Sequence, residues 1–319
     1  MTLSRRQAGA GLVGTGLAGA AGPSKVWAEP RLNYGLEPRQ VAQGLWMVEG
    51  LTEYFSFQNG GNIVNIFFAE TDEGAVLFDT GPSLRYAEEL RLTMTAVMPS
   101  GIAAVYNTHH HPDHFFGNQV FTDRPLRALP ATQSLAREQG DDFADNMYRL
   151  VGDWMRGTEP VPPEEPVQGG LFSVGGREFE AFPLEGHTSA DLAILDRETG
   201  VLIAGDLAFL DRAPTTPHAD LAVWQKSLDA LAAVEAAAIA PGHGPFDPAG
   251  DSLRQTRAYL EWLDDTLRQA AEQGLDMVEA MNLPMPEAFA AMGAQPQEYH
   301  RSIAHLFPDY ELAALPRID

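Results

Sequence analysis

Short apolar runs separated by turn residues fill the chain from Leu45 to about residue 108. LWMVEG (45–50), NIVNIFFAE (62–70) and AVLFDTG (75–81) have the length and the β-branched or aromatic content of buried strands. SLRYAEELRLTMTAVM (83–98) repeats its apolar residues at helical spacing and predicts the first helix. AAVYNT (103–108) reads as another buried strand. Residues 131–168 begin helical and turn proline-rich at EPVPPEEPV, so they read as a surface insert, with residues 140–168 a candidate lid.

The second half repeats this logic. LFSVGG (171–176), REFEAFPLEG (177–186), DLAILD (191–196) and GVLIAGDL (200–207) predict four strands joined by short turns. A helix is expected at 219–237, a short strand at 237–242, a long amphipathic helix at 251–274 and more helix within 276–306. Two strand-rich halves, each closed by helices, predict a mixed α/β (α+β) domain with two sheets inside and helices outside.

Composition narrows the function. The chain has 319 residues, is 45% hydrophobic and 20% charged, and carries a net charge of −23. Acidity of this size excludes a nucleic-acid partner, whose phosphates need a basic surface, and supplies no polybasic patch for anionic lipid. The absence of cysteine excludes disulfides, thiolate metal ligands and cysteine nucleophiles. Residues 1–28 carry Ser4-Arg5-Arg6, a weakly apolar Gly/Ala run and the small-residue cleavage signal Val26-Trp27-Ala28. This resembles a twin-arginine export signal. Cleavage there removes Arg5, Arg6 and Lys25 and takes the charge to −26. No later stretch has the ~20 uninterrupted apolar residues of a membrane span. The expected mature chain, 29–319, is periplasmic, with a helical extension from about residue 248.

The candidate chemistry sits in VYNTHHHPDHFFGN (105–118), which places four histidines and one aspartate within six positions of a chain with nine histidines. Ring nitrogens two residues apart on a tight turn, as in His109-x-His111, can face one cation. Asp113 and His114 are then near enough to serve a second. Three later residues fit the same site. His187, Asp206 and His243 each lie where an apolar strand run gives out, in Gly-His-Thr, Gly-Asp-Leu and Pro-Gly-His-Gly. Strand ends on one sheet edge are where a scaffold gathers functional loops.

The order H-x-H-x-D-H, G-H-T, G-D, P-G-H-G resembles that of the metallo-β-lactamase-fold hydrolases over about residues 40–245. The resemblance implies an αββα four-layer sandwich and two zinc ions per chain. His109, His111 and His187 would hold the first, Asp113, His114 and His243 the second, and Asp206 would bridge them. It also implies that Asp79-Thr80-Gly81 buttresses the metal loop. DNMYRLVGDWMRGTE (145–159), TTPH (215–218) and the carboxy-terminal helices further resemble the SoxH-related subgroup, the quinoprotein relay system zinc metallohydrolases. That subgroup implies a functional link to pyrroloquinoline-quinone dehydrogenases.

The expected reaction is hydrolysis of a small-molecule ester, thioester, lactone or amide by a metal-bridging hydroxide, with Asp113 as the catalytic carboxylate. Two other readings stay open. One is a mononuclear iron, persulfide-dioxygenase-like oxidoreductase, because imidazole and carboxylate suit iron and manganese as well as zinc. The other is a quinone-cofactor binding or delivery protein without turnover. His218, Arg212, Phe115 and Trp154 are candidates for the substrate pocket. His110 is expected to point away from the metals, and Trp224, Leu228 and Leu231 to be core.

Overall fold

The computed structural model describes residues 32–315, so the expected export signal at 1–28 and its cleavage point lie outside the described residues. The first sheet has seven strands in chain order: β1 (Pro38–Ala42), β2 (Leu45–Val48), β3 (Ile66–Ala69), β4 (Ala75–Phe78), β5 (Ile102–Tyr106), β6 (Leu126–Ala128) and β7 (Glu165–Pro166). Pairing is antiparallel through β4 and parallel from β4 to β7. The second sheet holds β8 (Gly170–Val174), β9 (Arg177–Leu184), β10 (Asp191–Asp196), β11 (Val201–Phe209) and β12 (Ala238–His243), in the order β12-β11-β10-β9-β8. Only β11 and β12 pair in parallel there.

Side-chain alternation along the buried strands builds the layers. Val76 and Phe78 of β4 face the second sheet, where they meet a core that includes Phe179, Leu192, Ile194, Val201 and Ile203. Ala75 and Leu77 point the other way, onto Tyr86, Ala87, Leu90 and Met94 of helix α1 (Leu84–Val97). In the second sheet, Ala193, Leu195, Leu202 and Ala204 turn outward onto helices α4 (Leu221–Ala232), α5 (Asp251–Glu272) and α8 (Gln297–Ala314). Both faces of each central strand are therefore apolar, which is why these strands read as continuous runs. The result is helix, sheet, sheet, helix.

Several boundaries differ from expectation. The edge strand β1 is half-exposed, and β6 and β7 have three and two residues, so none carries an apolar run. Helix α4 stops at Ala232, where the alanine-rich continuation to residue 237 gives way to the connection into β12: Ala237 N–H donates to Gly200 O. The region expected as helix over 276–306 is broken near Pro284, Pro286 and Pro296 into α6 (Met277–Met281), α7 (Glu287–Ala290) and the start of α8. Residues 131–151 are regular helix, α3 (Pro130–Val151). A one-turn helix α2 (Pro112–Phe115) lies inside the histidine motif.

Candidate metal centre

The loop after β5 is held from below by Asp79, which follows β4. Its carboxylate accepts from the Thr108 N–H at 2.8 Å and the Thr108 hydroxyl at 2.8 Å, and lies 2.8 Å from His114 Nδ1. Asp79 adopts φ 63, a left-handed conformation that aspartate tolerates better than most residues. Thr80 adds a backbone N–H and a hydroxyl to His114 O, at 2.8 and 3.2 Å, and Gly117 N–H donates to Gly81 O at 3.0 Å. The Asp-Thr-Gly stretch thus fixes both ends of the histidine turn.

Four chain segments bring the ligand candidates together. His109, His111, His187 and Asp206 each offer one atom within 4.8 Å of the others, and Asp113, His114 and His243 do the same. Asp206 touches both groups. Its Oδ2 lies 3.4 Å from His187 Nε2, 3.9 Å from His109 Nε2 and 3.2 Å from His243 Nε2, and its Oδ1 lies 3.1 Å from His114 Nε2. Asp113 Oδ2 sits 3.4 Å from His243 Nε2 and 3.7 Å from His114 Nε2. Asp206 lies inside β11 rather than past its end. The strand runs on to Phe209 through an irregularity at Gly205, which turns the carboxylate into the site. His243 is the last residue of β12.

The far nitrogens of most of these rings are tied down, although His187 Nδ1 is buried without a partner. His109 Nδ1 lies 3.0 Å from the Thr108 hydroxyl, and His243 Nδ1 is 2.7 Å from Ile63 O. His111 Nε2 is 2.8 Å from His218 Nδ1, which leaves its Nδ1 2.9 Å from His187 Nε2. Partners of this kind orient metal-binding imidazoles. By contrast, His109 Nε2, His114 Nε2 and Asp206 Oδ1 are buried with no hydrogen-bond partner. Buried polar atoms without partners are uncommon, and here they converge where a cation would meet all three. The donor set fits a pair of divalent ions.

Electrostatics agree. Burial, then neighbouring imidazoles, pushes His109 and His111 well below the usual histidine range. Burial takes His187 down to about 3, so its ring is neutral and its lone pair free above that pH. Burial works to raise Asp206, but His243 and His114 overcome it and hold the carboxylate well below its ordinary range. Burial also works against protonation of His114, yet Asp206, Asp79 and Asp113 together raise it. A buried, ionised carboxylate at the centre of the cluster needs positive charge beside it, which bound metal ions would supply in place of a protonated His114.

A narrow cleft, with room of about 50 Å³, opens over the cluster, with His111, Asp113, Asp206 and His243 in its lining. Its apolar walls come from Tyr54, Phe55 and Ile63 and from Phe143, Met147 and Leu150 of α3. The helical half of the 131–168 segment therefore walls the cleft. Arg212 lines it too, though its guanidinium is engaged by Glu298 at 3.1 Å. His218 does not line it but braces His111. Two pocket candidates fall elsewhere. Phe115 is fully buried edge-to-face against Phe116, because the turn of α2 carries it under the loop. Trp154 packs on Tyr34, with ring centroids 4.3 Å apart, and donates to Phe57 O at 2.8 Å.

His110 stays outside the two ligand groups but beside them, within 4.8 Å of His111 and His218 and 3.3 Å from Gln139 Oε1, and Trp224, Leu228 and Leu231 are core. Sequence reasoning missed Thr108, Asn65, Phe143 and Arg301. The Asn65 amide donates to Pro241 O at 2.9 Å and Gly244 O at 2.7 Å, bracing the His243 turn. Asn65 and Thr108 adjoin motif strands and were open to notice, whereas a single arginine or phenylalanine on a helix carries no pattern.

The model of the metallo-beta-lactamase superfamily matches residues 59–243. A linear primary-alkylsulfatase of Pseudomonas sp. (strain ATCC 19151) is 22% identical over 283 residues, covering 74% of this chain and 53% of its own length. An acyl-coenzyme A thioesterase, MBLAC2 of Gallus gallus, is 25% identical over 170 residues, covering 48% of this chain and 60% of its own. The chain thus spans a little over half of these relatives. In fold it is similar to a metallo-beta-lactamase from Pontibacter korlensis, with a TM-score of 0.58 at 23% identity, over 71% of this chain and 99% of that one. With a family match over residues 59–243 and the ligand candidates of the motif gathered into two groups, the chain belongs to the metallo-beta-lactamase superfamily.

Proposed function

We propose that this metal-dependent hydrolase holds two zinc ions and cleaves an ester, thioester, lactone or amide in the cleft above them. The observation that carries the reading is the sharing of Asp206 between two ligand groups at the wall of a cleft that has apolar sides. His109, His111 and His187 would hold one ion, Asp113, His114 and His243 the other. When bound, such ions supply Lewis acidity and bring the pKa of a coordinated water to about 7. Asp113 lines the cleft, so its carboxylate is placed to orient a water and take its proton. Thr108 and Asp79 hold the rings from beneath, which keeps the site in place as charge develops.

The sulfate-ester and thioester activities named for the two relatives support an ester-type bond. The Ser4-Arg5-Arg6 segment supports export to the periplasm. The subgroup resemblance supports work alongside a quinoprotein dehydrogenase. The test is turnover by the zinc-reconstituted chain of matched aryl esters, thioesters, lactones, amides and alkyl sulfates. Zinc-dependent cleavage of at least one class is expected. Persulfide oxidation with bound iron would overturn the reading in favour of the oxygenase, and quinone binding with no turnover in favour of the carrier.

A further inference from the structure

Two cations that line the cleft, Arg212 and Arg301, share one buried carboxylate, Glu298. Arg212 and Glu298 are both buried, and their side chains meet at 3.1 Å. The Arg212 guanidinium also donates to Ala213 O at 3.1 Å, Thr215 Oγ1 at 3.3 Å and Glu53 O at 3.4 Å, while the Thr215 hydroxyl donates to Glu298 Oε1 at 2.9 Å. Arg212 is thus a structural cation, neutralised by the one carboxylate beside it. Arg301, a turn of α8 beyond Glu298, differs. It forms only a long ion pair with Glu298 Oε2, at 3.7 Å and beyond hydrogen-bonding distance, and its side chain keeps 28% exposure. Among the described residues the Arg301 guanidinium makes no hydrogen bond, yet it lines the same cleft as His111, Asp113, Asp206 and His243.

A chain of net charge −23 with 21 basic residues has few cations to place, and this one lines the cleft with the ligand candidates, its planar fork of donors making no hydrogen bond among the described residues. A guanidinium of this kind matches a carboxylate, sulfonate or phosphate in two-pronged geometry. The other walls, Phe55, Phe143 and Leu150 among them, take an apolar body. We propose that Arg301 forms an anion subsite, and that the substrate is an anionic amphiphile: a scissile ester-type group at the metals, an apolar body on the cleft wall, and a second, negatively charged group on Arg301. The C-terminal helix thereby sets specificity for a reaction carried out at the sheet edge. This rests on the hydrolytic reading above.

The experiment compares two aryl esters of equal chain length on the zinc-loaded full chain: p-nitrophenyl valerate and the mono-p-nitrophenyl ester of glutaric acid, which carries a terminal carboxylate. The wild type is expected to favour the charged ester. In Arg301→Gln the ratio of kcat/KM for the charged over the neutral ester should fall roughly 10–100-fold, through KM, as expected for loss of a charge-assisted contact made equally in ground and transition states. Arg301→Lys, which keeps the charge but not the fork, should retain part of the ratio. A ratio unmoved by Arg301→Gln overturns the subsite. Hexane-1-sulfonate, which is not hydrolysed, separates this from failure of the hydrolytic reading. If neither ester is turned over, calorimetric sulfonate binding that weakens in Arg301→Gln still supports the subsite. Binding equal in both proteins, or absent from both, removes it.

Discussion

His218 Nδ1 lies 2.8 Å from His111 Nε2. Because His111 must present its Nδ1 toward His187, its Nε2 needs an outer partner to fix the ring, and His218 is that partner. His218→Ala should weaken zinc binding by roughly 10–100-fold, the range seen when outer partners of metal ligands are removed. Competition with a chromogenic chelator measures this, and an unaltered affinity would show that the ring is held by packing alone. The six positions from His109 to His114 were legible because the chemistry is written compactly and in one order. His218 was legible only as a pocket neighbour. Its role depends on a contact across 107 residues that no local pattern encodes. Arg301 was illegible for the same reason: its meaning comes from what surrounds it.

At the scale of elements, the site depends on β11 and β12 running close enough for Asp206 and His243 to meet. Gly242 makes that approach feasible, since a Cβ there would stand 2.0 Å from Asp206 Oδ1 and 2.8 Å from Gly205 C. Gly242→Ala must therefore push the Asp206 carboxylate out of place. Metal content per chain should drop by about half or more, and a crystal structure should show Asp206 displaced; full occupancy with Asp206 unmoved would refute the packing argument. The central strands were readable because both of their faces are buried and they are apolar throughout. Strand β1 was not, because an edge strand half in solvent has no such run. Asp206 was expected at a strand end, yet it lies within β11, because an irregularity turns a side chain inward without ending the strand.

At the scale of the molecule, the ligands come from both sheets. His109 to His114 follow β5 of the first, while in the second His187 follows β9, and Asp206 and His243 belong to β11 and β12. Protein contacts already cross this seam: Leu192 N–H donates to Thr108 O, and Asn65 N–H to Gly242 O, each at 2.8 Å. Bound metal would add a far stronger tie. At free zinc a thousandfold above its Kd, the native state gains about 4 kcal/mol, so chelation should lower Tm by roughly 10 °C. Calorimetry with and without chelator checks this, and a Tm indifferent to zinc would count against ions joining the sheets.

The most direct measurement is the zinc-to-chain ratio of the reconstituted protein by elemental analysis, made on the wild type and on His243→Ala. The account requires a ratio of two that falls to about one when His243 is lost, with the remaining ion held by His109, His111 and His187. A wild-type ratio well below one, or one that stays the same without His243, would contradict it.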